Sequence, residues 1–290
     1  MESTGVVVRK MAPTIRLRRL AGELRKLRIG AGLKIEDVVK QTQIDQSSIY
    51  RIERALTRPQ RRTLTALLNL YGVPAERQAT LLNWLKESNQ QGWFRVYEPY
   101  LPEQYQALIA FEYEAESLQT YESMFVPGLL QTEAYARALI KGVVPAIDED
   151  DLQRRVEVRM QRQSVLQRPI PMQLWALVDE AAIRRVVGGS DVMQEQMRHL
   201  LEAAARPHIR LQVVPFGAGA HPGMPGSFIR LDFADQFDAP MIYTDSMAGD
   251  AFLEGEDDVA RFQATFDNIA AHALSQPASK KFIQEAVKAA

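Results

Sequence analysis

The stretch LKIEDVVKQTQIDQSSIYRIERALTRP, from Leu33 to Pro59, decides the fold of the N-terminal part of this chain. Its apolar residues recur at three- and four-residue spacing, which predicts a short helix over about 35–41 and a second over about 46–54. Between them lies the tight connection Gln43-Ile44-Asp45, and the Asp45 carboxylate is a good N-cap for the second helix. Two short helices joined by a three- to four-residue turn form a helix-turn-helix unit.

Working outward, the same periodicity predicts helices on both sides of this unit. A first helix begins near Ile15, carries leucines on one face, and is stopped by Gly30 and Gly32. Two more helices are predicted over about 61–71 and 75–88. Residues 1–90 are therefore predicted to be an all-α five-helix bundle that contains the helix-turn-helix.

The second helix of such a unit lies in the DNA major groove, where all four base pairs can be distinguished. Gln46 stands at its N-terminal tip, where a glutamine amide can bond adenine bidentately, and the arginines that follow are spaced to contact the phosphate backbone. Three further basic residues add positive charge to this part of the chain: Arg16, Arg18 and Arg19. The predicted DNA contacts are Lys34, Gln46, Ser47, Tyr50, Arg51, Arg54, Arg58, Arg61 and Arg62.

The charge of the chain is divided between its two parts. Residues 1–90 hold 17 Lys and Arg against 8 Asp and Glu, a net of +9, whereas the other 200 residues hold 18 against 28, a net of −10. A basic small domain joined to an acidic larger one suggests that the first part meets a polyanion.

A polar stretch, SNQQG at 88–92, is the best candidate for a linker, and residues 91–290 are predicted to form a mixed α/β (α+β) domain. Helices are expected over about 103–124, 129–141, 150–166, 191–205 and 257–274. Strands are expected over about 172–178, 209–216, 228–233 and 241–244.

The glycine-rich segment GAGAHPGMPGSF, 217–228, invites a catalytic interpretation, but no phosphate-binding loop, dinucleotide fingerprint or hydrolase elbow is present. It lies between two predicted strands, so it is either a structural connection or a loop that contacts a ligand or partner. The ligand candidates are His221, Gly223 and Ser227. The four histidines lack a chelating spacing, so no metal site is expected. Because the sequence has no cofactor-binding motif and no nucleophile–base pair, neither a cofactor nor an enzymatic activity is expected.

The amino-acid composition excludes several further kinds of site and of protein. The chain has 290 residues and no cysteine, which excludes disulfides and a cysteine nucleophile. No apolar run approaches a membrane span, and the N-terminus lacks the pattern of an export signal. A cytoplasmic, nucleoid-associated protein with no membrane contact is expected.

Residues 15–72 resemble the helix-turn-helix domain of the xenobiotic-response-element and phage-repressor type. The continuation resembles a large family of actinobacterial (Streptomyces-type) regulators whose C-terminal domain is of uncharacterised function. The segments that carry this resemblance are YESMFVPGLLQTEAYARALI (121–140), RRVEVRMQRQ (154–163), LQVVPFGAGAHPGMPGSF (211–228) and GDAFLE (249–254).

The resemblance implies a homodimeric transcription factor that binds a double-stranded DNA operator, in a family often paired with a small companion protein in a toxin–antitoxin-like way. Three positions depart from the usual pattern. Gln43 and Ala55 stand where glycine is frequent, and Lys34 replaces a Ser or Thr cap, although Glu36 and Asp37 still complement the helix dipole.

Three functions stay open at this stage. The first is a dimeric regulator whose acidic C-terminal domain dimerises and senses a small-molecule effector or a protein. The second is an antitoxin-like protein that binds the companion protein and autoregulates its own operon. The third, an enzyme with an attached helix-turn-helix, has no nucleophile–base pair in its favour.

Overall fold

A computed structural model describes residues 15–87, 97, 100–234, 239–247 and 249–289, excluding the side chains of residues 15, 16, 87, 288 and 289. The chain forms two compact units, Met1–Arg95 and Val96–Ala290. The predicted linker at 88–92 lies outside the described residues.

The described residues of the first unit form five helices, as the sequence predicts. They are α1 (Ile15–Gly30), α2 (Ile35–Thr42), α3 (Gln46–Glu53), α4 (Arg61–Leu70) and α5 (Ala75–Glu87). Each helix presents leucine, isoleucine or valine to one shared core, in which Leu24, Ile49 and Leu68 are fully buried. Because every helix is short, this common core and not helix propensity stabilises the bundle.

Two residues beside the helix-turn-helix adopt a left-handed backbone without being glycine. Gln43, at the end of α2, has φ 58° and ψ 17°, and Ala55, after α3, has φ 55°. These are the two positions where the resembled family often has glycine. The Cβ of an L-residue is crowded in this conformation, at a cost of about 1–2 kcal/mol.

The second unit is an α+β domain built on one mixed sheet, which confirms the predicted fold class. Its strands are β1 (Ser117–Glu122), β2 (Gln173–Asp179), β3 (Ile209–Val214), β4 (Phe228–Asp232), β5 (Met241–Thr244) and β6 (Ala251–Leu253). Among the described residues the strand order is β3-β2-β1-β4-β5-β6. The β3-β2-β1 part is parallel, and the β1-β4-β5-β6 part is antiparallel.

Seven α-helices accompany this sheet in the described part of the second unit. They are α6 (Glu103–Glu114), α7 (Glu133–Val143), α8 (Glu149–Arg162), α9 (Glu180–Arg184), α10 (Ser190–Ala203), α11 (Glu256–His272) and α12 (Gln276–Ala289). Phe266 and Ile269 of α11 pack with Tyr121, Leu177 and Phe228 of the strands in a buried aromatic and aliphatic core.

The outer edge of the sheet at β3 is covered by the chain's last segment. The Val213 amide donates to Ser279 Oγ at 2.9 Å, and the Leu274 amide donates to the Val213 carbonyl at 2.8 Å. Exposed strand edges invite pairing with other chains, so these bonds satisfy backbone groups that would otherwise be open.

The prediction of one helix over 103–124 is wrong in its second half. The helix ends at Glu114, and Ser117–Glu122 is the central strand β1. Its pairing with β2 and β4, which lie more than fifty residues further along the chain, overrides the local helical pattern. The sequence reading also did not include β6, α9 and α12.

A buried ion pair joins α6 to α8. Arg162 Nε donates to Glu112 Oε2 at 2.8 Å, and Arg162 Nη2 donates to Glu112 Oε1 at 2.6 Å, with both side chains almost fully buried. The third guanidinium nitrogen, Nη1, donates to Tyr105 Oη at 2.6 Å. The bidentate geometry offsets the desolvation that burying two charges costs.

Among the described residues, no helix is both long and apolar enough to cross a membrane.

Candidate nucleic-acid interface

The start of α3 is fixed by its N-cap, as predicted. The Asp45 carboxylate accepts hydrogen bonds from the Ser48 amide at 3.0 Å and from the Ser47 hydroxyl at 2.6 Å. The Ser48 hydroxyl donates to the same carboxylate. Hydrogen bonds from Ser47 and Ser48 lower the pKa of Asp45 to about 2, so the cap is ionised at neutral pH. This ties the tip of α3, where Gln46 stands, to the turn before it.

The inner face of α3 is held by apolar packing and one ion pair. Ile49 and Ile52 are buried in the bundle core. One turn after Ile49, Glu53 accepts two hydrogen bonds from the Arg28 guanidinium, at 2.7 Å from Nε and 2.9 Å from Nη2. Arg28 Nη1 also donates to the Leu33 carbonyl at 2.9 Å, so this arginine links α1, α3 and the segment before α2.

Sequence reasoning did not identify Arg28 or Glu53. Their side chains are only 11% and 6% exposed. A usable signal existed for one of them, because Glu53 stands four residues after the buried Ile49, on the inner face of an amphipathic helix. A carboxylate at such a position requires a buried cation, but the periodicity does not indicate which of the many arginines supplies it.

The outer face of α3 carries predicted DNA contacts, and it is continued by the C-cap Arg54, which is predicted to contact the phosphate backbone. Gln46, Tyr50 and Arg54 follow one another at four-residue spacing, and Ser47 and Arg51 lie beside them. At 100° per residue these five positions fall within an arc of about 140°, facing away from Ile49 and Ile52. All five side chains are exposed.

Contacts within this face already order part of it. The Arg54 guanidinium lies over the Tyr50 ring, 4.4 Å from its centroid. The Ser47 hydroxyl donates its proton to Asp45, which leaves its oxygen lone pairs as the groups that could meet DNA. A pre-ordered surface loses less side-chain entropy when it binds.

The remaining predicted contacts flank α3 and are also exposed. Lys34 is the N-cap residue of α2, and its backbone amide donates a hydrogen bond to the Asp37 carboxylate at 3.0 Å. Arg61 and Arg62 begin α4, whose first turn contains no acidic residue. Two cations at the positive end of a helix are unfavourable alone and favourable beside a phosphate, which helix N-termini bind.

Three of the basic residues that the sequence singled out interact with other residues of the protein itself. Arg58 Nη2 donates to the Leu85 carbonyl of α5 at 2.5 Å, so Arg58 also joins the end of the motif to the last helix. Arg18 and Arg19 are half-buried, and the Arg19 guanidinium lies 4.9 Å from the Trp84 ring centroid. The side chain of Arg16 lies outside the described residues.

In the second unit, the glycine-rich loop rests on the ends of the parallel strands. The His221 side chain is 5% exposed, its ring packs edge-on against Tyr121, and its Nε2 lies 3.6 Å from Asp179 Oδ2. Gly223 is buried so closely that an added Cβ would stand 2.7 Å from both Tyr121 and Ile269. Ser227 Oγ accepts from the Ser123 amide at 3.0 Å, next to the end of β1.

These contacts give the loop a structural role. His221 and Gly223 fill space above Tyr121, and space, not a left-handed backbone, is what requires glycine at position 223. Among the described residues no cluster of three or more His, Cys, Asp or Glu could hold a metal ion.

The bundle and its exposed α3 define a helix-turn-helix protein, and a helix-turn-helix domain indicates a DNA-binding regulator. Comparison with known families agrees: residues 19–81 match the family described as "Helix-turn-helix domain". Residues 105–285, more than half of the chain, match "Domain of unknown function (DUF5753)". The chain therefore belongs to the DUF5753 family, with a helix-turn-helix domain at its N-terminal side. No curated protein and no solved structure matches the chain.

Proposed function

We propose that this protein is a sequence-specific transcriptional regulator that binds its operator as a homodimer in the cytoplasm. Its second domain would provide dimerisation and bind an effector or a partner protein, with no catalytic step of its own. The observation that carries the proposal is the exposure of all nine predicted DNA-contact residues around a recognition helix whose inner face is fixed by the core and by Glu53.

Four of the nine residues can be assigned roles by their position. Gln46 and Arg51 lie on α3 and have side chains that can bond base edges in the major groove. Arg61 and Arg62 lie outside α3, at the start of α4, and are assigned to phosphate contacts. Base contacts discriminate between sequences, whereas phosphate contacts bind any duplex.

The test begins with a DNA site selected from a random-sequence library by the full-length protein. Gln46→Ala should weaken binding to that site by about 1–3 kcal/mol and leave the affinity for random duplex unchanged. Arg61→Ala should weaken both by similar factors and reduce the slope of log K against log salt by about 0.9. Arg25→Ala, which removes the same charge from an exposed position on α1, serves as the control.

Two results would contradict the proposal. One is failure of the selection to enrich any common sequence. The other is an equal loss on selected and random DNA for Gln46→Ala, which would remove base reading from α3. A salt slope that falls as much for Arg25→Ala as for Arg61→Ala would exclude Arg61 from the phosphate contacts.

A further inference from the structure

A cavity of about 390 Å³ lies within the second domain. Its volume falls in the range of small-molecule sites, which is about 300–1,000 Å³. One part of its wall is apolar and includes Leu139, Ile140 and Val143 of α7. The other part is charged, with arginines from α8 and carboxylates from the ends of β1 and β5 and from the start of β6.

The basic side of the cavity has unused hydrogen-bond donors. Arg155 and Arg159 are one turn apart on α8, and the Nε atom of each is buried without a hydrogen-bond partner among the described residues. Within the described residues, Arg159 donates one side-chain hydrogen bond, from Nη1 to Gln131 Oε1 at 2.9 Å. In the third arginine of the wall, Arg162, each of the three guanidinium nitrogens donates to Glu112 or Tyr105. Buried donors are ordinarily paired, so the Nε groups of Arg155 and Arg159 are donors that lack an acceptor.

The acidic side has an excess of negative charge. Glu122 ends β1, Asp245 directly follows β5, and Asp250 directly precedes β6. Asp250 accepts from the Tyr243 hydroxyl at 2.8 Å. Burial and the neighbouring Asp245 raise the pKa of Glu122 to about 7, against the lowering effect of Ser227, Arg159 and Arg162. Burial and Asp250 likewise raise the pKa of Asp245. A cation bound near Glu122 and Asp245 would stabilise the ionised form of both carboxyl groups.

We propose that this cavity binds a small zwitterion with an apolar body, similar in chemistry to an amino acid. Its protonated amine would face Glu122 and Asp245, its carboxylate would accept from Arg155 and Arg159, and its body would lie against α7. The ligand supplies the acceptor that one wall lacks and the cation that the other lacks. Any effect of this ligand on transcription rests on the proposed function, but binding to the cavity does not.

The test uses three probes of matched size: L-phenylalanine, which carries both charges, phenethylamine, which carries only the amine, and 3-phenylpropanoate, which carries only the carboxylate. Each is titrated into the full-length protein without DNA and followed by ligand-observed NMR. For a probe this small a Kd near about 1 mM is expected for phenylalanine, and a tenfold or greater weakening for the other two.

Two variants assign the charges. Arg155→Gln should weaken phenylalanine and 3-phenylpropanoate about tenfold and leave phenethylamine unchanged. Asp245→Asn should weaken phenylalanine and phenethylamine and leave 3-phenylpropanoate unchanged. Arg261→Gln and Asp257→Asn, which change the same residue types on α11 away from the cavity wall, are the controls and should alter nothing.

The ranking of the three probes on the unmodified protein decides the proposal even if a variant does not fold. Absence of phenylalanine binding up to about 20 mM, or affinity for a singly charged probe equal to that for phenylalanine, would overturn it. So would a folded Arg155→Gln variant with unchanged phenylalanine affinity. Because no DNA is present, these outcomes are independent of whether the operator experiment succeeds.

Discussion

Replacing Gln43 by glycine should stabilise the helix-turn-helix domain. Gln43 has φ 58° and is exposed, and its side chain makes no hydrogen bond within the described residues. Relief of the left-handed strain is worth about 1–2 kcal/mol. The greater freedom of glycine in the unfolded chain costs about 0.5–1 kcal/mol. The expected gain is therefore about 0.5–1 kcal/mol.

Ala55 provides a matched contrast, because its φ of 55° is almost the same while its environment is different. The Ala55 methyl is buried against Leu17 and Ala21. Ala55→Gly relieves the same backbone strain and has the same cost in conformational entropy of the unfolded chain. It also removes a buried methyl group that stabilises the fold by about 0.8 kcal/mol. The two effects nearly cancel, so this variant should be close to neutral or slightly destabilised. Gln43→Ala keeps the strain and should also be close to neutral.

The assay is a urea titration of the full-length protein with pulsed hydrogen exchange, measured in peptides that cover 33–59. These peptides report unfolding of the first domain separately from the second. With an m-value of about 1 kcal/mol/M for a small domain, Gln43→Gly should raise the urea midpoint by about 0.5–1 M. A midpoint at or below that of the wild type would refute the assignment of backbone strain to this turn. An equal rise for Ala55→Gly would instead contradict the cost given to loss of the buried Ala55 methyl.

Three further outcomes are expected. A fragment of residues 1–95 should be folded, as measured by circular dichroism, but should bind the selected DNA much more weakly than the full chain. The reason is that a dimer engages two half-sites about 34 Å apart. Equal affinity of the fragment and the full chain would exclude the dimer. Glu112→Ala should destabilise the second domain by about 3–5 kcal/mol in calorimetry by leaving Arg162 buried and unpaired, and a paired Glu112→Leu/Arg162→Met change should recover most of the loss. Glu122→Gln should be more stable than the wild type at pH 8 and equal to it below about pH 4. The pKa of Glu122 in the folded state, about 7, is above its value in the unfolded state, so the folded state binds the proton more tightly. The stability of the wild type therefore falls as the pH rises between these two pKa values. A pH-independent difference between Glu122→Gln and the wild type would contradict this.

The first domain was predictable because its signals are local. Apolar spacing, the Asp45 cap and the glycines at the end of α1 determine where its helices begin and end, and the exposed face of α3 follows from the helical period. The left-handed turn at Gln43 was anticipated only through the family resemblance, since nothing in the glutamine itself indicates a positive φ.

The second domain was less predictable because its order is set by distant pairings. β1 has the sequence SLQTYE, without clear alternation of apolar and polar residues, and it is central only because β2 and β4 pair with it. The cavity was missed for the same reason. Arg155 from α8, Glu122 from β1 and Asp245 after β5 are far apart in sequence, and no motif joins them.

The strand order also sets a minimum length for the connection that contains the glycine-rich loop. β3 and β4 are not neighbours: β2 and β1 lie between them, so the chain must travel three strand spacings, about 14 Å, along one edge of the sheet. A two-residue hairpin turn cannot make this crossing. An extended chain covers about 14 Å in four to five residues, at about 3.3–3.6 Å per residue, so the distance sets only a lower limit on the length. The segment 215–227 exceeds this limit, and its additional length allows His221 and Gly223 to pack over Tyr121.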